Sequence, residues 1–77
     1  MITLYVIKSL SKKYRYVGIT NNLNKRLKQH NSGYNKNTKV YKPFKLIHTE
    51  NFQNYKEARK KEIFLKSGAG KKFLNLL

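Results

Sequence analysis

The chain has 77 residues, with 18 Lys and Arg against three acids, and a formal net charge of +15. That length bounds it to one small domain, with room for a sheet and roughly two or three helices but no deep substrate cavity. The absence of cysteine excludes disulfides and thiolate metal sites, and no apolar run is long enough to span a bilayer.

Met1-Ile2-Thr3-Leu4 lacks the basic start and cleavage pattern of a signal peptide, so a cytoplasmic setting without membrane association is expected. The charge excess fits a polyanionic partner, because neutralising phosphates releases condensed counterions. The plainer alternative is a solubilising cationic surface. With six tyrosines and four phenylalanines, the chain is too apolar for a disordered basic tail.

Ile2 to Lys8 alternate Ile2, Leu4 and Val6 against Thr3, Tyr5 and Ile7, which predicts a strand covered in part on both faces. Ser9 to Lys13 reads as a turn, and Tyr14 to Ile19 as a second strand rich in aromatic and β-branched residues. A hairpin centred near Leu10-Ser11 places Tyr5 directly across from Tyr16, with both rings on one face. Thr20-Asn21-Asn22 supplies capping residues for a helix from about Leu23 to Asn31, closed by Gly33. Leu23 and Leu27 form its sheet-facing stripe, and Arg26 and His30, four apart, lie within the same broad face.

Ser32 to Lys42 is polar and turn-rich, and reads as a mobile basic loop. A third strand runs from Phe44 to about Asn51, with Phe44, Leu46 and His48 on one side and Ile47 and Thr49 on the other. Asn54-Tyr55-Lys56-Glu57 is a capping-box pattern that opens a second helix through about Ser67. Gly68-Ala69-Gly70 breaks that helix, and the remainder forms a short terminal helix or tail. The predicted fold is α+β: a three-stranded antiparallel sheet flanked by helices, in the order β-β-α-β-α, as one domain over residues 1–77.

On the second helix, Tyr55, Ala58, Ile63 and Leu65 define the arc predicted to face the sheet, and Glu62 projects near its middle. A half-buried carboxylate is costly unless it is paired or bound to metal. An internal ion pair to Arg59, Lys66 or Arg26 and a role as a metal ligand both satisfy that condition. Glu57 is accounted for by the capping box, and Glu50 offsets nearby lysines.

The inventory narrows the chemistry. A two-metal nuclease site needs several acids close together, and three glutamates with no aspartate do not supply it. His30 and His48 stand on different elements, without zinc-type spacing. Gly68-Ala69-Gly70-Lys71-Lys72 has the wrong spacing for a nucleotide cradle, and no strand precedes it. What remains is a one-metal phosphodiesterase, with one Mg²⁺ or Mn²⁺ on Glu62, Arg26 offsetting phosphoryl charge and a tyrosine handling the attacking water.

These residues make the chain resemble a GIY-YIG nuclease domain over nearly its whole length. Thr3-Leu4-Tyr5 stands at the first family motif, with Thr3-Leu4 in place of Gly-Ile, and Tyr16-Val17-Gly18 at the second. Ten residues separate the two tyrosines. Asn22 to Asn31 is similar to the family's arginine-bearing helix, with Arg26 and His30 at its functional positions. Glu62 in Arg59-Lys60-Lys61-Glu62-Ile63 stands at the metal-binding glutamate, and Asn75 resembles the asparagine that closes many of these sites.

The resemblance implies roles. Tyr16 is the general base or water-orienting phenol, and Tyr5 its partner across the hairpin. Arg26 stabilises the phosphorane-like state, and His30 supports the nucleophile or phosphate. Glu62 is the sole protein metal ligand, and Gly18 permits close packing beside the site. DNA, in branched or damaged form, is the implied partner, with RNA an additional candidate. Lys25 and the loop lysines Lys36, Lys39 and Lys42 would contact phosphates, together with Gly18 and Asn75, while Tyr34 and Tyr41 offer rings for stacking. The rival readings are a non-catalytic basic nucleic-acid-binding module and an interaction protein presenting an exposed Phe64.

Overall fold

The computed structural model describes residues 1–77, and it has the α+β architecture expected from the sequence. Strands β1 (Ile2–Ser9), β2 (Arg15–Thr20) and β3 (Phe44–Phe52) form one antiparallel sheet in the order β2-β1-β3. Helix α1 (Leu23–Ser32) follows β2, and α2 (Tyr55–Leu65) and α3 (Gly68–Leu74) follow β3. No helix is long and apolar enough to cross a membrane.

Central β1 has neighbours on both edges and cover on both faces, so Leu4, Tyr5, Val6 and Ile7 are all fully buried. Their alternation divides the core in two. Leu4, Val6 and Val17 pack with Leu65 of α2 and Leu74 of α3. Tyr5, Ile7 and Phe44 pack on the other face, with Tyr16 of β2, Leu23 and Leu27 of α1 and Tyr41. The α1 stripe predicted from Leu23 and Leu27 therefore lands on the tyrosine face.

The hairpin register differs from the expected one. Tyr5 pairs with Gly18, and Tyr16 pairs with Ile7. The reason lies in the turn: the Ser9 hydroxyl accepts from the N–H groups of Ser11 and Lys12, at 3.2 and 3.0 Å, while the Ser9 N–H donates to the Tyr14 carbonyl at 2.9 Å. This serine-organised turn moves the centre of the hairpin toward Ser11-Lys12. The pairing slips by two residues, and because side chains alternate with a period of two, both tyrosines stay on one face.

Three further expectations are corrected. A bulge separates the pairs Val6–His48 and Ile7–Leu46, leaving Ile47 as the extra residue. It turns His48 away from Phe44 and against Phe73, with ring centroids 5.4 Å apart. Helix α2 ends at Leu65 and buries Ala58, Glu62 and Leu65, while Tyr55 and Ile63 are exposed. The segment Gly68-Ala69-Gly70 opens α3 instead of ending a helix: Ser67 caps it, its hydroxyl accepting from the Gly70 N–H at 3.3 Å. A Cβ on Gly70 would run into the Phe64 carbonyl oxygen and the Leu65 backbone, so glycine here is what lets α3 seat against α2.

The basic loop is pinned. Thr38 is fully buried within it. Tyr41, on a single 3-10 turn (Lys39–Tyr41), stacks on Tyr14 with centroids 3.8 Å apart and planes 9° from parallel. The Ser9 hydroxyl donates to the Tyr41 carbonyl at 2.6 Å, and the Ser11 hydroxyl to the Lys42 carbonyl at 3.2 Å. Lys36, Lys39 and Lys42 are exposed on this anchored frame.

Candidate active site

Two strands and one helix bring four of the expected residues into one cluster on the tyrosine face. Tyr5 on β1 and Tyr16 on β2 have ring centroids 6.2 Å apart. The ring of His30, from the last turn of α1, lies 5.8 Å from Tyr5 and 4.9 Å from Tyr16. Gly18 stands opposite Tyr5 in the register, and a Cβ there would fall 2.6 Å from the Tyr5 oxygen and 2.9 Å from Cε1 of Tyr16. The second-motif glycine is therefore the space into which the Tyr5 phenol fits.

Arg26 reaches this cluster one turn before His30. Its guanidinium lies beside both phenols, and contact with Tyr5 is the main influence that raises its already high pKa. The side-chain bond that steadies it runs to Gln29, with Nη1 donating to Oε1 at 3.3 Å. Burial pushes the Tyr5 hydroxyl above the ordinary tyrosine range, and Arg26 only partly opposes this. Burial first, then the charge of Arg26, pushes His30 below the ordinary histidine value.

A neutral His30 joins a buried hydrogen-bond chain. Its Nε2 lies 2.9 Å from the Tyr5 hydroxyl, and its Nδ1 3.0 Å from Oγ1 of Thr38. The Thr38 hydroxyl in turn donates to the Asn35 carbonyl at 3.4 Å. Since that proton is committed, the partners assign the tautomer: Nδ1–H donates to Thr38, and Nε2 accepts from Tyr5. Both nitrogens of His30 are thus occupied within the protein. Neither is left free to meet a phosphate in this arrangement.

Glu62 belongs to the other layer. It is 7% exposed, and its charge is one of the influences that raise Tyr5. Lys66 donates to Oε2 at 3.3 Å, and Arg59 Nη1 stands 3.4 Å from Oε1. Oε1 is nevertheless buried without a hydrogen bond. No group of three or more His, Cys, Asp or Glu side chains is placed to hold an ion. An orphaned, hard carboxylate oxygen fits a divalent cation that takes most of its shell from water and substrate, as Mg²⁺ commonly does.

Asn75, just past α3, lines a cleft together with Tyr16 and Lys66, so the C-terminal segment does approach the second tyrosine. The remaining expected contacts stay apart from the cluster. Lys25 lies on the outer surface of α1, and Lys36, Lys39 and Lys42 lie on the pinned loop. Phe64 is exposed on α2, with the Lys61 ammonium 5.3 Å from its ring centroid.

The profile of the GIY-YIG catalytic domain matches residues 1–75. The chain belongs to the GIY-YIG family. Among curated proteins, it is 42% identical to the UPF0213 protein YazA of Bacillus subtilis (strain 168), over 88% of this chain and 69% of the relative. It is 41% identical to the UPF0213 protein CPE1444 of Clostridium perfringens (strain 13 / Type A), over 82% of this chain and 68% of that one. The UPF0213 protein RBAM_000440 of Bacillus velezensis is 43% identical over 74% of this chain and 59% of its own. No solved structure matches the chain at a significant level.

GIY-YIG is a nuclease family whose members generally depend on a divalent metal ion, and membership implies a nucleic-acid substrate. Sequence reasoning missed Thr38 and Gln29 beside the cluster, but it did name the two cations that flank Glu62. Arg59 and Lys66 were visible as ion-pair partners through their spacing from Glu62. Thr38 gave no such signal, because it reaches His30 only after the loop has folded back.

Proposed function

We propose that residues 1–77 act as one nuclease domain, a cytoplasmic endonuclease that hydrolyses DNA phosphodiester bonds with one divalent cation, Mg²⁺ or Mn²⁺. The observation that carries this reading is the cluster of buried Tyr5 and His30 with half-buried Tyr16 and Arg26, in which the guanidinium lies beside both phenols and Tyr5 bonds to His30.

The roles follow from burial. Tyr5 is enclosed and held protonated, so it serves as a fixed donor to His30 rather than as a base. Tyr16 is the more accessible phenol and also borders the cleft, which leaves it to orient the attacking water or take its proton. Arg26, planar and permanently charged beside both rings, would stabilise charge on the phosphoryl oxygens. Glu62 would hold the cation, which supplies charge neutralisation at the phosphate and the leaving oxygen. Asn75 would close the site on the α3 side.

A second reading has one observation in its favour. Arg59 and Lys66 already neutralise Glu62, as a non-catalytic nucleic-acid-binding module would require. Their side chains, however, are 67% and 56% exposed, which leaves both free to swing away, and Oε1 still lacks a hydrogen bond. The nuclease reading uses that oxygen, and the binding reading does not.

Cleavage of branched, flapped and plain duplex DNA with Mg²⁺ or Mn²⁺ tests the proposal, comparing wild type with Glu62→Ala and Arg26→Ala. Wild-type cutting, with both variants binding DNA but not cutting it, is the expected result. Equal residual cutting by all three would trace the activity to a contaminant. Structure-dependent cleavage would appear as preferential cutting of the branched and flapped forms, and weakly specific cleavage as equal cutting of all three DNA forms.

A further inference from the structure

Strand β2 is an edge strand, hydrogen-bonded only to β1. Along this edge, between the tyrosine face and the C-terminal helices, runs a cleft of about 710 Å³. Its rim carries Lys8, Lys13, Arg15, Lys66 and Lys71, and no acid lines it. Its floor is apolar, formed by part-buried Ile47 and the 45% exposed Leu77 together with the edges of the core residues Val17 and Leu74. Tyr14 and Tyr16 form the wall nearest the candidate active site.

We propose that this cleft receives an unpaired nucleotide of the substrate strand, adjacent to the phosphate presented to Tyr16. The inference rests on the nuclease reading and specifies its substrate: a polynucleotide that is single-stranded beside the cut. Charge complementarity identifies the polyanion, since Lys8, Lys13, Arg15 and Lys71, with no acidic side chain among the lining residues and Lys66 paired to Glu62 beside them, select phosphate over any neutral or cationic occupant. The apolar floor then selects the unpaired state. A duplex keeps its base faces stacked and offers the rim only phosphates, leaving the exposed Leu77 and the open side of the part-buried Tyr16 without a partner. An unpaired base brings a π-face to that wall and floor while its phosphate stays on the rim, the combination used by single-strand binding surfaces. The volume lies within the range of about 300–1,000 Å³ typical of sites that enclose one small ligand.

The test uses the full chain without added metal and with chelator, so that binding is read apart from cutting. Oligonucleotides carrying one 2-aminopurine are titrated as single-stranded DNA, single-stranded RNA and a blunt DNA duplex of the same sequence. At least one single strand is expected to bind about tenfold more tightly than the duplex, with its emission changing on binding. The exposed-site double variant Lys13→Ala/Lys71→Ala is expected to weaken single-strand binding about tenfold and duplex binding by no more than about twofold. Lys36→Ala/Lys39→Ala, on the pinned loop, is expected to weaken both alike. The DNA and RNA arms report which sugar the cleft prefers.

Equal affinity for single strand and duplex, or a parallel loss for both in Lys13→Ala/Lys71→Ala, would overturn the proposal. So would displacement of the strand by an acidic peptide at the concentration at which unlabelled strand displaces it. The two readings fail differently. Loss of the nuclease reading shows as absent cleavage with the single-strand preference intact, and loss of the cleft assignment shows as cleavage without that preference.

Discussion

Gly18 and Tyr5 are opposite one another in the β1–β2 pair, and the Tyr5 phenol occupies the volume that any side chain on Gly18 would need. The glycine of the second motif therefore sets the position of the tyrosine of the first. In Gly18→Ala the added methyl would meet both the oxygen and Cζ of Tyr5, as well as the Tyr16 ring. Because Tyr5 is fully buried, its ring cannot simply swing into solvent. A loss of about 1–3 kcal/mol is expected from overpacking, measured by urea denaturation, together with a drop in cleavage as the Tyr5–His30 bond is disrupted. An unchanged midpoint with full activity would contradict this account.

Thr38 holds the far nitrogen of His30, and its removal should be felt at Tyr5. In Thr38→Val, Nδ1–H loses its acceptor in a buried site, which costs about 1–3 kcal/mol. Thr38→Ser keeps the hydroxyl and should recover most of that loss. The distinguishing measurement is the nitrogen chemical shifts of the His30 ring. A mixed tautomer in the valine variant, against a single Nδ1–H form in wild type and the serine variant, is expected. An identical tautomer in all three would show that Thr38 only fills space.

The buried titratable groups give stability a pH dependence at both ends. His30 is held below its ordinary value of 6.5 by burial and by Arg26. As pH falls through 6.5, the unfolded chain takes up a proton that the folded protein refuses, so stability declines until the lowered folded-state value is passed. Tyr5 and Tyr14 are shifted the other way, upward from 10.0. Above pH 10.0 the unfolded chain loses protons that the folded protein retains, and stability declines again. Urea midpoints across pH should show both declines. The acid-side one should flatten in His30→Gln relative to wild type, and an unaltered acid limb would remove His30 from the explanation.

Gly70 is the seam between α2 and α3. In Gly70→Ala the methyl meets backbone rather than a flexible side chain, so α3 must lift away from Phe64 and Leu65. The expected cost is about 1–3 kcal/mol or more. Leu74, Asn75 and the tail should become sensitive to limited proteolysis before the sheet unfolds. Cleavage that begins elsewhere in the chain would argue against a local release of α3.

How much of this was legible depends on whether the deciding interaction is local. The covered strand at Leu4 to Ile7, the Asn22 and Asn54 caps and the Leu23–Leu27 stripe are set by neighbouring residues, and each appears where sequence pattern places it. That Tyr5, Tyr16, Arg26 and His30 belong together was legible too, through the family resemblance, while Glu62 lies in the other layer. The two-residue register slip was not, because it depends on which N–H groups the Ser9 hydroxyl accepts from. The bulge at Ile47 depends on β1 and β3 finding their pairing across the chain. The glycines of α3 read as a helix break because propensity counts their flexibility and cannot see the neighbouring helix they must approach. His30 looked able to touch phosphate until Thr38, from a loop with no apolar pattern, took its second nitrogen.

The Tyr14–Tyr41 stack has a thermodynamic consequence for encounter with a polyanion. A floppy basic loop must surrender its conformational freedom when it meets phosphate, and that loss is deducted from the affinity. Here the loop that carries Lys36, Lys39 and Lys42 is already held by the fold, through ring stacking, a buried threonine and two serine hydroxyls. On the nucleic-acid reading proposed above, the backbone that carries these lysines would need no further ordering on binding, and only their exposed side chains would have to settle.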